Sequence, residues 1–376
     1  MQEENSSSAE AADWYRIDNL DQLDSPALVV YRERVQQNIR EAVGQVRDVG
    51  LLRPHVKTSK ITEVCRMLQE AGITKFKCAT IAEAEMLALI RAPDVLLAYQ
   101  PVGPKVARLA ALVRQYPHTR FSCLTDNPEA ATRLSDRFAQ QGLSLDVFID
   151  LNVGMNRSGL PPADAPAFFQ QLEQLPALRV EGLHAYDGHI HDPDITPRNR
   201  KAAAVFEEVF RLAARLEKIA ERPLRIVAGG SPTFAFHRER SVECSPGTFV
   251  FWDWGYHQLL PEEPFRYAAL VITRVISVVN ATTLTLDLGH KSVAAENPLP
   301  RVHFLNAPGA APVSQSEEHL VVKVPDSSRY HTGDVLYGVP VHICPTVALY
   351  DTAVVIEGHQ ATGRWKVIAR DRSITV

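Results

Sequence analysis

The chain of 376 residues is 45% apolar and sets 40 Lys and Arg against 44 Asp and Glu, for a formal net charge of -4. That balance excludes long-range attraction to nucleic acid or an anionic membrane surface, and no later run approaches membrane-spanning length. Five cysteines scattered without CxxC spacing argue against a disulfide framework and for a reducing compartment, with the cytoplasm as the default.

The first dozen residues, MQEENSSSAEAA, are acidic and rich in Ser and Ala without an apolar core. They read as a poorly ordered tail rather than a signal peptide or anchor, and the tail extends to residue 23 with Trp14 to Leu20 expected to add a strand to a later β domain. Pro26 to Tyr31 is a short β-branched run, after which Val35, Ile39, Val43 and Val46 recur at helical spacing. Next comes Arg53-Pro54-His55-Val56-Lys57-Thr58-Ser59-Lys60, which sets Lys57 at the end of a strand-like run just before a helical pattern opens at Ile61. The alternation then continues. Strands are expected at 76–79, 95–99, 120–124, 145–151, 180–186 and 225–228, each but the last followed by a helical pattern or a proline-led helix start.

Eight short strands alternating with helices predict a closed parallel (β/α)8 TIM-type barrel over residues 24–245, since about 250 residues is usual for that architecture. An open doubly wound sheet fits less well, because no GxGxxG follows the first strand and the candidate chemistry sits at the ends of several strands. From residue 246 to 376 the periodicity changes to alternation, with β-rich runs at 268–279, 283–288, 319–324, 335–341, 353–356 and 365–369. This α/β chain therefore ends in a second, mainly antiparallel β domain, and the stretch from Pro308 to Ser316 reads as a low-complexity loop.

Candidate chemistry falls at predicted strand ends. A lysine amine has an ordinary pKa of about 10.4, so Lys57 becomes a nucleophile or Schiff-base former only through desolvation or a neighbouring cation such as His55 or Lys60. Asn152-Val153-Gly154-Met155-Asn156-Arg157-Ser158-Gly159 is a glycine-punctuated loop that offers Arg157 to a phenolate or carboxylate oxygen. His184, Tyr186, Asp187, His189 and His191 crowd into "HAYDGHIHD", a supply of acid-base groups, metal ligands or a ring-stacking platform. Gly229-Gly230-Ser231-Pro232-Thr233 follows the last barrel strand, where such barrels commonly hold a phosphate. A lysine and a phosphate cradle on one rim point to pyridoxal phosphate. In the second domain His342 and Cys344 stand two residues apart, on one side of an extended strand, a pair that suits a divalent metal with zinc favoured by the sulfur.

Together "RPHVKTSK", "NVGMNRSG", "LHAYDGHIHD", "GGSPT", "ECSPGTFVFWDWGY", "DLGHKS" and "HICPTVALYD" resemble the D-threonine aldolase and D-serine dehydratase family, fold-type III pyridoxal phosphate enzymes related to alanine racemase and carrying an added metal site. The resemblance runs from about Asp24 to the C-terminus. It implies that Lys57 carries the cofactor, Arg157 bonds the pyridine 3-oxygen, Tyr186 lies near the ring, and Gly229, Gly230, Ser231 and Thr233, with Tyr256, surround the phosphate. It also implies that His342 and Cys344 are the metal pair, that the substrates are small D-configured β-hydroxy amino acids, and that the protein is a homodimer. Aldolases of the family show HxD where this chain has His342-Ile343-Cys344, the dehydratase form; a carboxylate would favour manganese or magnesium, a thiolate zinc. His191 is then the candidate base for the substrate β-hydroxyl. The reading adopted is an aldolase that releases glycine and an aldehyde, with dehydration to a keto acid and ammonia as the alternative. A non-catalytic cofactor carrier and a racemase stand behind these two.

Overall fold

The computed structural model describes residues 13–376; the stretch 1–12, expected to be poorly ordered, lies outside the described residues. One compact unit takes in the described residues up to Gln37, with Phe251–Gly255 and Arg266–Val367, and the other takes Asn38–Val250, Tyr256–Phe265 and Ile368–Val376. Among the described residues, no helix is long and apolar enough to cross a membrane.

The second of these units is built on seven parallel strands in chain order: β2 (Lys75–Cys78), β3 (Asp94–Leu97), β4 (Arg120–Thr125), β5 (Leu145–Leu151), β6 (Leu178–Ala185), β7 (Arg225–Ala228) and β8 (Glu243–Cys244). Their short apolar runs are buried on both faces, which is why they read as near-continuous hydrophobic segments. Three of the intervening helices are capped by side chains the sequence supplies at their starts: Thr80 for Ile81–Leu89, Asn127 for Pro128–Ala139 and Asp194 for Ile195–Ala220. The expected second strand, ending at Lys57, is reduced to a seam. Arg53 N and His55 N donate to Cys244 O and Pro246 O at 2.8 and 3.0 Å on one side, and Val56 N donates to Lys77 O at 2.9 Å on the other. With Leu52 bridged to Cys244 and His55 to Lys77, this segment joins both edges of the sheet and closes the ring.

Two layers fill the barrel. Leu96, Leu124, Phe148 and Val227 form an apolar cluster from four strands. Below it, at the strand N-termini, lies a ring of charges. The Arg53 guanidinium reaches Glu243 at 2.6 Å and Asp94 at 2.7 Å, Lys75 reaches Glu243 at 2.6 Å, Arg225 reaches Asp94 at 3.0 Å, and Arg120 and Arg179 converge on Asp146 at 2.5 and 2.8 Å. Burial alone would discharge these groups. The mutual pairing overrides it, holding Asp94 and Glu243 below the ordinary carboxylate range and Arg53 above its own. The N-terminal mouth is thus plugged by ion pairs, and chemistry is left the C-terminal mouth.

The other unit is a nine-stranded sheet: β1 (Ala27–Tyr31), β9 (Ala269–Asn280), β10 (Thr283–Leu286), β11 (Val302–Phe304), β12 (Ala311–Gln315), β13 (Leu320–Lys323), β14 (Val335–Pro340), β15 (Thr352–Glu357) and β16 (Gln360–Lys366). Its pairings are antiparallel except that of β1 with β15. The run expected as the first barrel strand is therefore β1 of this sheet, seated between β9 and β15. All five of its residues are buried, so it lacks the alternation that would have marked an antiparallel strand. Trp14 to Leu20 makes turns rather than the expected strand. It joins this unit all the same, with Asp18 N donating to His359 O at 2.8 Å and Ile17 N to Tyr337 Oη at 3.2 Å. Most of the stretch read as a loop, Pro308 to Ser316, is β12, paired with β13. Leu270 and Ile272 belong to one buried cluster and Val271 to another, so the two faces of β9 each carry a core.

Candidate active site at the C-terminal mouth of the barrel

Lys57 follows the seam and stands exposed on a turn that ends at Lys60, whose backbone is left-handed at φ 54°. The turn sends Lys60 away from Lys57 into an ion pair with the buried Glu83, whose second oxygen accepts Ala79 N at 2.6 Å. One of the two expected cationic neighbours is thereby spent. The other, His55, is kept neutral: burial and the charges of Lys57 and Lys77 push its pKa well below the imidazole range.

Lys57 lines a cavity together with His55, Lys77, Asp150, Arg157, His184 and Tyr186. Lys77 was missed by sequence reasoning. It lies on β2 opposite Leu96, so it faces the barrel interior above the apolar layer, and only 3% of it is exposed. Its Nζ sits 3.2 Å from His184 Nε2, and His184 Nδ1 lies 2.7 Å from Asp150 Oδ1. Burial, then the nearby Lys57 charge, lowers Lys77 to about 7, while the His184 hydrogen bond helps hold the Asp150 carboxyl down against its own burial. His184 is lowered chiefly by burial and by Lys77.

The loop after β5 is shaped by Asn152, whose Oδ1 accepts the backbone N–H groups of Gly154 and Asn156, each at 3.1 Å. Gly159, at φ 91°, closes it so tightly that a Cβ there would meet Asn152 N at 2.5 Å. This folding lays the Arg157 guanidinium 5.0 Å from the centroid of Tyr186, which extends from the end of β6. Tyr186 reaches the next turn as well: a Cβ on Gly230 would stand 3.1 Å from its Cε2.

That turn, Gly229 to Thr233, opens with Gly229 in the left-handed region at φ 67°. Asp187, fully buried, ties it down by accepting Thr233 Oγ1 and pairing with His237 Nε2, both at 2.8 Å. The Thr233 hydroxyl proton is thus committed to Asp187. His237 comes from the short helix Phe234–His237, and nothing in its local sequence marks it. Beside the turn, Ser245 N donates to Ala228 O at 3.2 Å, and the Ser245 Oγ is buried without a hydrogen-bond partner. A left-handed glycine, open backbone beside it and an unpaired buried hydroxyl fit a ligand phosphate, just as Lys57 and Arg157 fit the aldehyde and ring oxygen of pyridoxal phosphate.

Among the remaining expected residues, His191 is exposed and does not line the cavity, whereas the His189 ring packs against Gly154. Tyr256 lies on the helix Trp254–Leu259, also outside the cavity lining. His342 and Cys344 open a short helix, Ile343–Val347, rather than sitting on a strand. They are still within hydrogen-bonding reach of one another. Burial disfavours the His342 imidazolium, but Cys344, Asp253 and the Glu296 carboxylate 2.6 Å from Nδ1 together raise it to about 9. Two adjacent donors of this kind fit a borderline-soft divalent ion, although no group of three His, Cys, Asp or Glu suited to a metal occurs among the described residues.

Comparison with known proteins gives the same outline. The family model described as alanine racemase, N-terminal domain, matches residues 30–253, and that described as putative serine dehydratase domain matches residues 268–356. The chain is 30% identical to a D-threonine aldolase from Arthrobacter sp over 94% of each chain, and 28% identical to a D-threo-3-hydroxyaspartate dehydratase from Delftia sp. over 63% of each. A crystal structure of D-threonine aldolase from Filomicrobium marinum superposes with a TM-score of 0.84 at 27% identity, covering 92% of this chain and 95% of that one. With a barrel of the alanine racemase type, a serine dehydratase-type β unit and an aldolase relative matched over nearly its whole length, this chain belongs to the D-threonine aldolase and D-serine dehydratase family of alanine racemase-like enzymes.

Proposed function

We propose that this protein is a pyridoxal phosphate- and divalent-metal-dependent lyase acting on D-configured β-hydroxy-α-amino acids, cleaving the Cα–Cβ bond to give glycine and an aldehyde. The observation that carries the reading is a single cavity at the C-terminal mouth of the barrel lined by Lys57, Arg157 and Tyr186, beside the Gly229–Gly230 turn. When bound, pyridoxal phosphate supplies an aldehyde for covalent attachment and an electron-withdrawing ring.

The protein's own groups do the rest. Lys57 offers the attaching amine, Arg157 bonds the ring oxygen as a planar multi-donor, and Tyr186 flanks the ring. The backbone of Gly229, Gly230 and Ser231, with the unpaired Ser245 hydroxyl, takes the phosphate, and Thr233 acts there through Asp187. His342 and Cys344 hold the metal, zinc by the sulfur, which makes a bound hydroxyl more acidic. His191, exposed to solvent, takes the β-hydroxyl proton. His191→Asn then lowers kcat by about 100-fold while cofactor uptake is unchanged.

Cys344, where a carboxylate would suit a harder ion, favours a second reading: loss of the α-proton with expulsion of the hydroxyl, giving a keto acid and ammonia. Five free cysteines, four of them buried, accord with a reducing cytoplasm, and a homodimer follows from the family reading. Product analysis separates these reactions. Protein loaded with pyridoxal phosphate and zinc or manganese is given D-threonine and D-serine, with and without a chelator. Glycine and acetaldehyde from D-threonine carry the aldolase reading, 2-oxobutanoate carries the dehydratase, and no turnover of any D-β-hydroxy amino acid leaves a non-catalytic carrier.

A further inference from the structure

The cavity holds more positive charge than one attaching amine requires. Lys57, Lys77 and Arg157 share its lining with a single carboxylate, Asp150, and that carboxylate is already engaged by His184 at 2.7 Å and by Ser158 Oγ at 2.9 Å. A ligand entering such a space is selected for negative charge. Lys77 and Arg157 approach the same ring, with Nζ 5.5 Å and Cζ 5.0 Å from the Tyr186 centroid, so two cations from different elements converge on one part of the cavity. His184 Nε2 takes up one of the hydrogen-bonding positions of the Lys77 amine, and an amine has others to turn toward a ligand.

The charged and titratable groups around Lys77 are His55 and Lys57 from the seam and its turn, Arg53 from the layer beneath, Asp150 from β5, Arg157 from the following loop, and His184, Tyr186 and Asp187 from β6 and its end. Burial and the positive members of this set make the neutral amine accessible near pH 7, against the pull of Asp150 and Asp187. An incoming anion reverses that balance, because a negative charge within hydrogen-bonding reach favours the ammonium form.

We propose that Lys77, backed by His184 and Asp150, is a second cationic anchor for the anionic ring oxygen of a pyridoxal-type ligand, working beside Arg157, and that the Lys77–His184–Asp150 chain takes up a proton as that anion enters. The inference rests on the cofactor reading above and deepens it. Neither Lys57 nor Arg157 performs this step: it adds a mobile proton to a site whose other anchor, an arginine, is permanently charged.

The test uses pyridoxine 5'-phosphate, which carries the ring oxygen and phosphate but no aldehyde, so attachment to Lys57 does not enter the proton count. Calorimetry at pH 8 in two buffers of different ionisation enthalpy gives affinity and protons taken up, with inorganic phosphate as the control ligand. The expected result is net uptake by the wild-type protein, with uptake lost and affinity for pyridoxine 5'-phosphate at least about tenfold weaker in Lys77→Met and Lys77→Gln, while phosphate binds as before. Asp150→Asn, which leaves the amine in place, is expected to reduce the uptake. An unchanged proton count and affinity in folded Lys77 variants overturn the assignment. If the wild-type protein binds no pyridoxine 5'-phosphate and develops no chromophore with pyridoxal phosphate, the cofactor reading itself has failed and takes this inference with it.

Discussion

An amine sealed inside a barrel costs stability whenever it is charged, and Lys77 makes that cost measurable. Its folded pKa of about 7 lies below the ordinary lysine value of about 10.5, so between those limits the unfolded chain holds a proton that the folded chain has shed. Stability therefore rises with pH across that window, and below it the penalty is present in full. Lys77→Met should raise Tm most near pH 6, with the gain shrinking toward pH 10; a pH-independent difference in paired melting curves would show that the amine is not depressed. Gly159 is a second such position. Its left-handed backbone and the 2.5 Å approach to Asn152 N predict that Gly159→Ala costs about 1–3 kcal/mol in denaturant unfolding and weakens cofactor binding by displacing Arg157. Lys57 and Arg157 were legible in the sequence because each stands in a turn-rich stretch after a strand, where side chains reach a site. Lys77 was not, since a lysine in an isolated strand reads as outward-facing, and only closure of the ring turns that face inward.

At the scale of elements, the strands of the barrel announce their function through their two ends. Charges at the N-terminal ends satisfy one another, as Arg53, Lys75 and Arg225 do around Glu243. Glu243→Gln leaves the fully buried Arg53 with Asp94 alone among these close carboxylates, so it should cost about 3–5 kcal/mol, the penalty of an undercompensated buried charge, read from urea unfolding. A loss below about 1 kcal/mol would mean that the ring is solvated and structurally idle. The parallel strands could be read from short apolar runs between helical patterns. The seam was harder, because its pairing rests on a few backbone bonds to segments far away in sequence. At His342 and Cys344, spacing suggested a strand and the backbone chose a helical turn that opens at His342, where the two side chains still lie within hydrogen-bonding reach.

For the whole molecule, alternation counting gave the right kind of barrel with the wrong first strand. Ala27–Tyr31 is followed by a helix and is buried throughout, so it looks like the opening βα unit, yet its partners β9 and β15 lie more than 200 residues later in the chain. Neither unit is contiguous in sequence, and no single cut separates them. The closing segment has a consequence for how the protein should fail. Leu52–Val56 clasps the two sheet edges and, one residue on, presents the amine on which the proposed chemistry depends. Breathing at that joint would unseat the amine while every helix and strand endured, so warming should silence the enzyme before it melts. Amide exchange at Arg53, His55 and Val56 should outpace that of β4 and β5 under native conditions, and equal protection at all of them would mean the clasp opens only when the whole barrel does.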